Sequence, residues 1–198
     1  MKIIVIENNF ITDTKTGDEP FFYLKPDVSI IRNNIPVYYP EPPYRLYFNL
    51  CLVLNLNRLG KSVTKKFAPR YFNEITAGFN FFISKEGNII NAGFDNKNCL
   101  TLFDNSVQLG NYILKDNFND LDNIELSAFV NGKELLKTNT NFLSLKTTEA
   151  IEFVSKQLTI KMGDLILLSF PFFPCELKPG DCLKASIEGL SLLDLMVK

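Results

Sequence analysis

Apolar residues along this chain fall into short blocks separated by Gly, Pro, Asn and Asp, a pattern that predicts many strands and few helices. Lys2 to Ile6 (KIIVI) is a β-branched run and reads as a buried first strand, followed by Glu7-Asn8-Asn9-Phe10. The polar segment Thr12 to Glu19 reads as a loop. Phe21 to Leu24 is a second strand, ended by Lys25-Pro26, because the residue before a proline is held extended. Val28 to Asn34 alternates into an Asn-Asn turn, and Ile35 to Tyr39 is expected to return as its hairpin partner before Pro40, Pro42 and Pro43 break the chain. The stretch Tyr44 to Phe82 then predicts a buried strand, a polar turn, a helical connection and a second apolar strand. Within the connection, Ser62 is placed to cap a short helix, and Pro69 suits the first turn of another ending near Glu74.

The second half repeats this vocabulary. Leu121 to Leu136 predicts a hairpin, with Ile124, Leu126, Ala128 and Val130 in alternation and Asn131-Gly132 as a type I′ turn. Thr147-Thr148-Glu149-Ala150 opens the one longer helix, with Ile151, Val154 and Leu158 on a single face. Leu165 to Leu168 is a buried strand, and Lys178-Pro179-Gly180-Asp181 turns into a final strand through Ile187-Glu188-Gly189. The expectation is one mostly-β domain over residues 1–198, a β-rich α+β fold with a few short helices.

Composition changes the picture mainly by what it removes. Apolar residues make up 46% and charged residues 22%, which suits a globular protein, but 18 Phe stand against no Trp and no His. Without imidazole, the commonest general base and transition-metal ligand are missing. The net charge of −1 offers no overall field for nucleic acid or an anionic membrane, and no basic cluster, no nucleic-acid partner and no membrane partner are expected. Cys51, Cys99, Cys175 and Cys182 stand singly, so buried structural thiols are expected rather than a zinc site. The opening residues lack a signal h-region, no run reaches the ~20 apolar residues of a membrane span, and a reducing cytoplasm is the expected location.

Several motifs, weak singly, follow one order: the aromatic pair before Lys25-Pro26, Gly60-Lys61 after a buried strand, Gly78-Phe79-Asn80, Val130-Asn131-Gly132, Asn139-Thr140, Pro179-Gly180-Asp181 and Ile187-Glu188-Gly189. In that order they resemble the fumarylacetoacetate hydrolase family, in its C-terminal-domain type, across essentially the whole chain. The resemblance implies a mixed β-sandwich roll, usually in homodimers. It implies enzymes that hydrolyse, decarboxylate or isomerise small oxo acids with Mg²⁺ or Ca²⁺ held by three carboxylates. Two of those carboxylates fall on Asn49 and Cys51 here, and the third on Asn80. Relatives often carry Gly-Arg-Asn-Tyr where this chain has Glu7-Asn8-Asn9-Phe10, with an acid–base His nearby; Asp13 lies near that position.

Other positions of the former pocket have changed as well. A polar Thr-Ala-Arg-Asp run becomes Phe82-Ile83-Ser84-Lys85, and a family Lys falls on Thr101 while its companion Asp survives as Asp104. The Thr-Gly-Thr-Pro segment becomes Ser169-Phe170-Pro171 with neighbours, leaving a hydroxyl at Ser169. Two amides and a thiol are poor ligands for a hard divalent ion, so no catalytic residue, no metal and no cofactor are expected. The leading expectation is a non-catalytic homologue whose pocket is filled, or made to hold an apolar small ligand, by Phe79, Phe81, Phe82, Phe170, Phe172 and Phe173. Two alternatives stay open: an active enzyme with a relocated or metal-free site using Asp13, Glu19, Asp104 and Lys25, or a regulatory subunit pairing with an active paralogue.

Overall fold

The computed structural model describes residues 1–11, 19–31, 36–85, 99–170 and 175–198, leaving aside the side chains of Cys99 and Leu100. The strands are β1 (Ile3–Glu7), β2 (Phe21–Lys25), β3 (Ile30–Ile31), β4 (Tyr44–Leu56), β5 (Phe72–Lys85), β6 (Cys99–Leu100) and β7 (Val107–Leu109). They continue as β8 (Ile113–Leu114), β9 (Glu125–Val130), β10 (Lys133–Asn139), β11 (Leu165–Ser169), β12 (Cys182–Ile187) and β13 (Leu190–Met196), with helix α1 (Thr147–Gln157) before β11. The fold is mostly β with mixed sheets, as the sequence predicts.

One sheet runs in the order β2-β1-β11-β4-β5-β7-β3, with β6 and β8 also pairing on β5. The second runs β10-β9-β12-β13. β2 and β3 sit at opposite ends of the large sheet, yet Lys25 and Ile30 are five residues apart, a reach of at most about 18 Å. The sheet must therefore curl until its edges meet. Packing agrees: Tyr23 of β2 and Ile30 of β3 both lie against one inner cluster of Ile3, Val5, Cys51, Val53, Val107, Leu165 and Leu167.

Strand alternation assigns the other face. Ile4, Ile6, Leu50, Leu52, Phe79, Phe81, Ile166, Leu168 and Phe170 point outward from the roll into the main core, with Leu126, Ala128, Leu183, Ala185 and Ile187 of the small sheet and Ala150, Ile151 and Val154 of α1. The helix starts where expected, its Glu149 carboxylate accepting from the Lys146 amide at 2.9 Å.

Four expectations are corrected. Asp27–Ser29 is a 3₁₀ turn, Ile30–Ile31 pairs in parallel with β7, and Val37 bridges Val197, so the hairpin between Val28–Asn34 and Ile35–Tyr39 does not form among the described residues. Ser62 lies at φ 52 and caps no helix. The Pro69 turn is a single 3₁₀ turn, Ala68–Arg70, and Glu74 already belongs to β5. Finally, Glu188 and Gly189, both at positive φ, form a hairpin turn into β13, a strand beyond the expected last one. Its exposed Leu190 and Met196 alternate with Ser191 and Asp194 too irregularly to mark it by pattern alone.

Candidate functional site

The inner face of the roll is set by register. Tyr47 pairs with Phe82, Asn49 with Asn80, and Cys51 with Gly78 across β4 and β5, while Ser169 of β11 pairs with Cys51. Paired residues share a face, so Phe82, Asn49, Asn80, Cys51 and Ser169 all turn into the roll. Glu7, in phase with Ile3 and Val5, joins them from β1.

Glu7 is the centre of this cluster. It accepts a hydrogen bond from Ser169 Oγ at 3.0 Å, and longer contacts at 3.4 Å from the Nδ2 groups of Asn49 and Asn80. Asn80 Nδ2 also donates to the Tyr23 hydroxyl at 3.0 Å, and Tyr23 in turn is hydrogen-bonded to Thr101. Cys51 Sγ lies 3.4 Å from Ser169 Oγ. Lys25, only 1% exposed, donates to Ser106 Oγ at 2.9 Å and approaches the carbonyls of Phe81 and Ser106 at 3.4 Å. Its ammonium stands 5.8 Å from the Phe103 ring centroid.

Burial governs the protonation of every group here. Loss of water pushes Glu7 up to about 7, against the opposing pull of Ser169, Asn49, the Lys25 charge and Asn80. Desolvation brings Lys25 down to about 7, against the opposing electrostatic pull of Cys51 and Glu7. The Cys51 thiol is raised to about 12 by burial first and by Glu7 second. Tyr23 is raised as well, mainly by burial.

The structure thus brings together Asn49, Cys51, Asn80 and Ser169, with Thr101 one hydrogen bond further out. Phe82 lies on the same face, stacked on Tyr47 with centroids 5.6 Å apart. Phe79, Phe81 and Phe170 do not belong to this group. They occupy the opposite face, in the main core, because each is one residue out of phase with the site. What fills this part of the roll is a set of polar side chains; Phe172 and Phe173 fall outside the described residues. Asp104 and Glu19 are exposed, and Asp13 lies outside the described residues, so the relocated acid cluster does not assemble from the described ones. Cys175 and Cys182 are half-buried rather than core thiols.

Glu7 was missed because it closes an apolar run and was read with the turn after it. The signal was available: it continues the inward phase of Ile3 and Val5, at the place where the resemblance implies a glycine. Asn8, at φ 55, ends the strand after it. Asn9 then serves structure, accepting from Ser144 Oγ at 2.8 Å and from the Leu145 amide at 2.6 Å ahead of α1.

A hard divalent ion prefers anionic oxygens with free lone pairs. Among the described residues this cluster holds one carboxylate, whose oxygens already face three donors, beside a lysine ammonium. No group of three or more acidic, Cys or His side chains converges to hold a metal among the described residues. The donor set does not fit the ion. The unpartnered oxygens of Asn49 and Asn80 are neutral and add no charge to hold it.

The family model described as fumarylacetoacetate (FAA) hydrolase C-terminal matches residues 6–198. The mitochondrial oxaloacetate decarboxylase of Dictyostelium discoideum is 27% identical over 195 residues, covering 96% of this chain and 89% of that protein. Oxaloacetate tautomerase YcgM of Escherichia coli (strain K12) is 24% identical over 202 residues, covering 96% and 90%. Among solved structures, a 2-hydroxyhepta-2,4-diene-1,7-dioate isomerase from Mycobacterium marinum superposes with a TM-score of 0.82 at 24% identity, covering 99% of this chain and 73% of that one. A fumarylpyruvate hydrolase from Pseudomonas aeruginosa, solved with Mn²⁺ and pyruvate, gives 0.80 at 15% identity, covering 100% and 89%. These two likenesses are of fold.

Proposed function

The chain belongs to the fumarylacetoacetate hydrolase family, in its C-terminal-domain type, and from that premise we propose that it is a non-catalytic homologue, one that keeps the roll without the divalent-metal chemistry. One observation carries the reading: the Glu7 carboxylate sits among Ser169 and the amides of Asn49 and Asn80, two of the three positions where the resemblance puts metal ligands. The charge count supports it. Three carboxylates call for a divalent cation, whereas one carboxylate beside one ammonium is already balanced. A 2+ ion added to Glu7 and Lys25 would leave a net 2+ in a buried space, at a cost of several kcal/mol per unpaired ion. The Glu7 side chain ties β1 to β4, β5 and β11 through Asn49, Asn80 and Ser169.

Metal linkage tests this. Thermal unfolding is followed with EDTA and then with Mg²⁺ or Mn²⁺. A native-state ligand at 100 times its dissociation constant adds about 2.7 kcal/mol, so a saturable rise in melting temperature that survives high monovalent salt overturns the reading. Unchanged melting supports it.

A second reading is favoured by one specific observation. Glu7 and Lys25 are both brought to about 7 inside one cluster, the poise that general acid–base chemistry uses. A metal-free enzyme acting on an oxo acid would show EDTA-resistant turnover of oxaloacetate, abolished in both Glu7→Gln and Lys25→Met. No turnover above the buffer rate leaves the non-catalytic reading standing.

A further inference from the structure

The connection between β4 and β5 carries a charge pattern that the roll does not use. From Arg58 to Arg70 the sequence holds Arg58, Lys61, Lys65, Lys66 and Arg70 with no Asp or Glu, in a chain whose net charge is −1. This corrects the expectation that no basic cluster exists. All five cations are exposed. Two acids on α1 face the segment: Glu149 pairs with Lys65 at 2.7 Å, and Glu152 accepts from the Lys65 amide while pairing with Lys156. Arg58, Lys61, Lys66 and Arg70 have no carboxylate partner among the described residues; Lys61 rests on the Gln157 carbonyl at 2.6 Å. Lys161, also exposed, adds a fifth unpaired charge from the neighbouring turn.

Large apolar side chains stand out of the same surface. Leu59 is 65% exposed, Met162 76% and Phe67 45%. They are drawn together by backbone contacts. Gly60 and Ile160 exchange hydrogen bonds at 3.0 and 2.9 Å, which sets Leu59 beside the turn that holds Met162. The Asn57 amide donates to the Tyr71 carbonyl, and Arg58 lies over the Tyr71 ring, which sets the same segment beside the Phe67–Arg70 turn. Gly60 is needed for this approach, since a Cβ there would meet Tyr71 at 2.4 Å.

We propose that this face, Arg58, Leu59, Lys61, Lys66, Phe67, Arg70 and Met162, docks on an anionic lipid surface. Protruding apolar residues ringed by unpaired cations match a bilayer interface, where the apolar tips enter the headgroup region and the cations meet lipid phosphates and carboxylates. A nucleic acid fits less well. It would need a free aromatic face for stacking, and the Phe67 ring is already engaged by Lys66 Nζ at 5.9 Å and Arg70 Cζ at 5.3 Å from its centroid. Leu59 and Met162 offer a base nothing.

The test is sedimentation with vesicles of phosphatidylcholine alone and of phosphatidylcholine mixed with phosphatidylserine, using the full chain. Binding is expected only to the mixed vesicles, and it weakens as salt rises from ~0.1 M to ~0.5 M. Lys66→Glu with Arg70→Glu lowers the bound fraction roughly tenfold or more, and Leu59→Ser with Phe67→Ser lowers it by a similar factor. All four positions are exposed, so circular dichroism and melting temperature should match the wild type and confirm that the variants fold. Equal binding to both vesicle types, or no binding to either, overturns the proposal. So does tighter binding of a fluorescent single-stranded oligonucleotide than of the mixed vesicles. A change in gel-filtration position on charge reversal without vesicles also overturns it, because the face would then be an interface between copies of this chain.

Discussion

Ser169 Oγ donates to Glu7 across β11 and β1 at 3.0 Å, one step past Ile6 and Leu168, the last residues those parallel strands hold in register. A side-chain bond there continues the ladder after the backbone pairing stops. It also fixes a carboxylate inside a roll whose neighbouring side chains are Val5, Cys51 and Leu167.

The first consequence concerns pH. Glu7 has a folded pKa of about 7, above its unfolded value of 4.5, so its contribution to stability is fully present below about 4.5 and is lost as pH rises through 7. Glu7→Gln removes this dependence. The stability of the variant relative to wild type is expected to increase between pH 4.5 and 7, by up to about 3 kcal/mol, and to level off above that. Denaturant melts across this range check it; a flat difference means the carboxyl is not buried.

Lys25 has the opposite sign. Its folded pKa is depressed from 10.5 to about 7, so its contribution is present above 10.5 and is lost as pH falls through 7. Lys25→Met should gain on wild type as pH falls from 10.5 to 7. In a double-mutant cycle with Glu7→Gln at pH 7, the two effects should not be additive, because removing either group removes the charge that favours ionisation of the other. Additive effects would mean that the two groups do not sense each other.

Much of this architecture could be read from sequence, and the failures have physical reasons. Continuous apolar runs located β1, β2, β4, β5 and β11, and alternation located the hairpin of β9 and β10. It failed at Ile30–Ile31, which is too short to show a period and is placed by its pairing with β7. It failed for the phenylalanines for a different reason: Phe79 and Phe82 look alike in composition but face opposite sides of β5. Which side is the inside of the roll depends on where β2 and β3 meet, and no local pattern encodes that. The polar positions Asn49, Asn80 and Ser169 were found by resemblance, whereas at Glu7 the resemblance implies a glycine and so points to no carboxylate.

Phe79 provides a check on the face assignment. It is fully buried in the main core with Phe48 at 5.0 Å between centroids, so Phe79→Ala should cost about 3–5 kcal/mol. The pH dependence of Glu7→Gln against its own parent should be unchanged in that background, since the sheet lies between them. A changed pH profile would put Phe79 in the roll after all.

Gly78 should tolerate nothing larger. A Cβ there would lie 2.9 Å from the Gln108 carbonyl oxygen and 2.9 Å from Val53 Cγ2, between β7 and β4. Backbone on one side cannot move aside as a side chain can. Gly78→Ala is expected to lower stability by about 1–3 kcal/mol, read from chemical denaturation.

The parallel pairing of β1 with β11 also has a meaning in time. Ile3 meets Leu165 in register, so the first strand leaves the ribosome 162 residues before its partner. At about 5–20 residues per second, that is roughly 8–30 s during which an apolar strand ending in a carboxylate has only β2 beside it. The hairpin of β1 and β2, with Ile3 opposite Lys25 and Glu7 opposite Phe21, is complete long before the roll can close. The nascent chain therefore keeps its future inner charges, Glu7 and Lys25, on an early two-stranded ribbon. Only with the synthesis of β11 does β1 gain its second neighbour, and Glu7 its Ser169 donor.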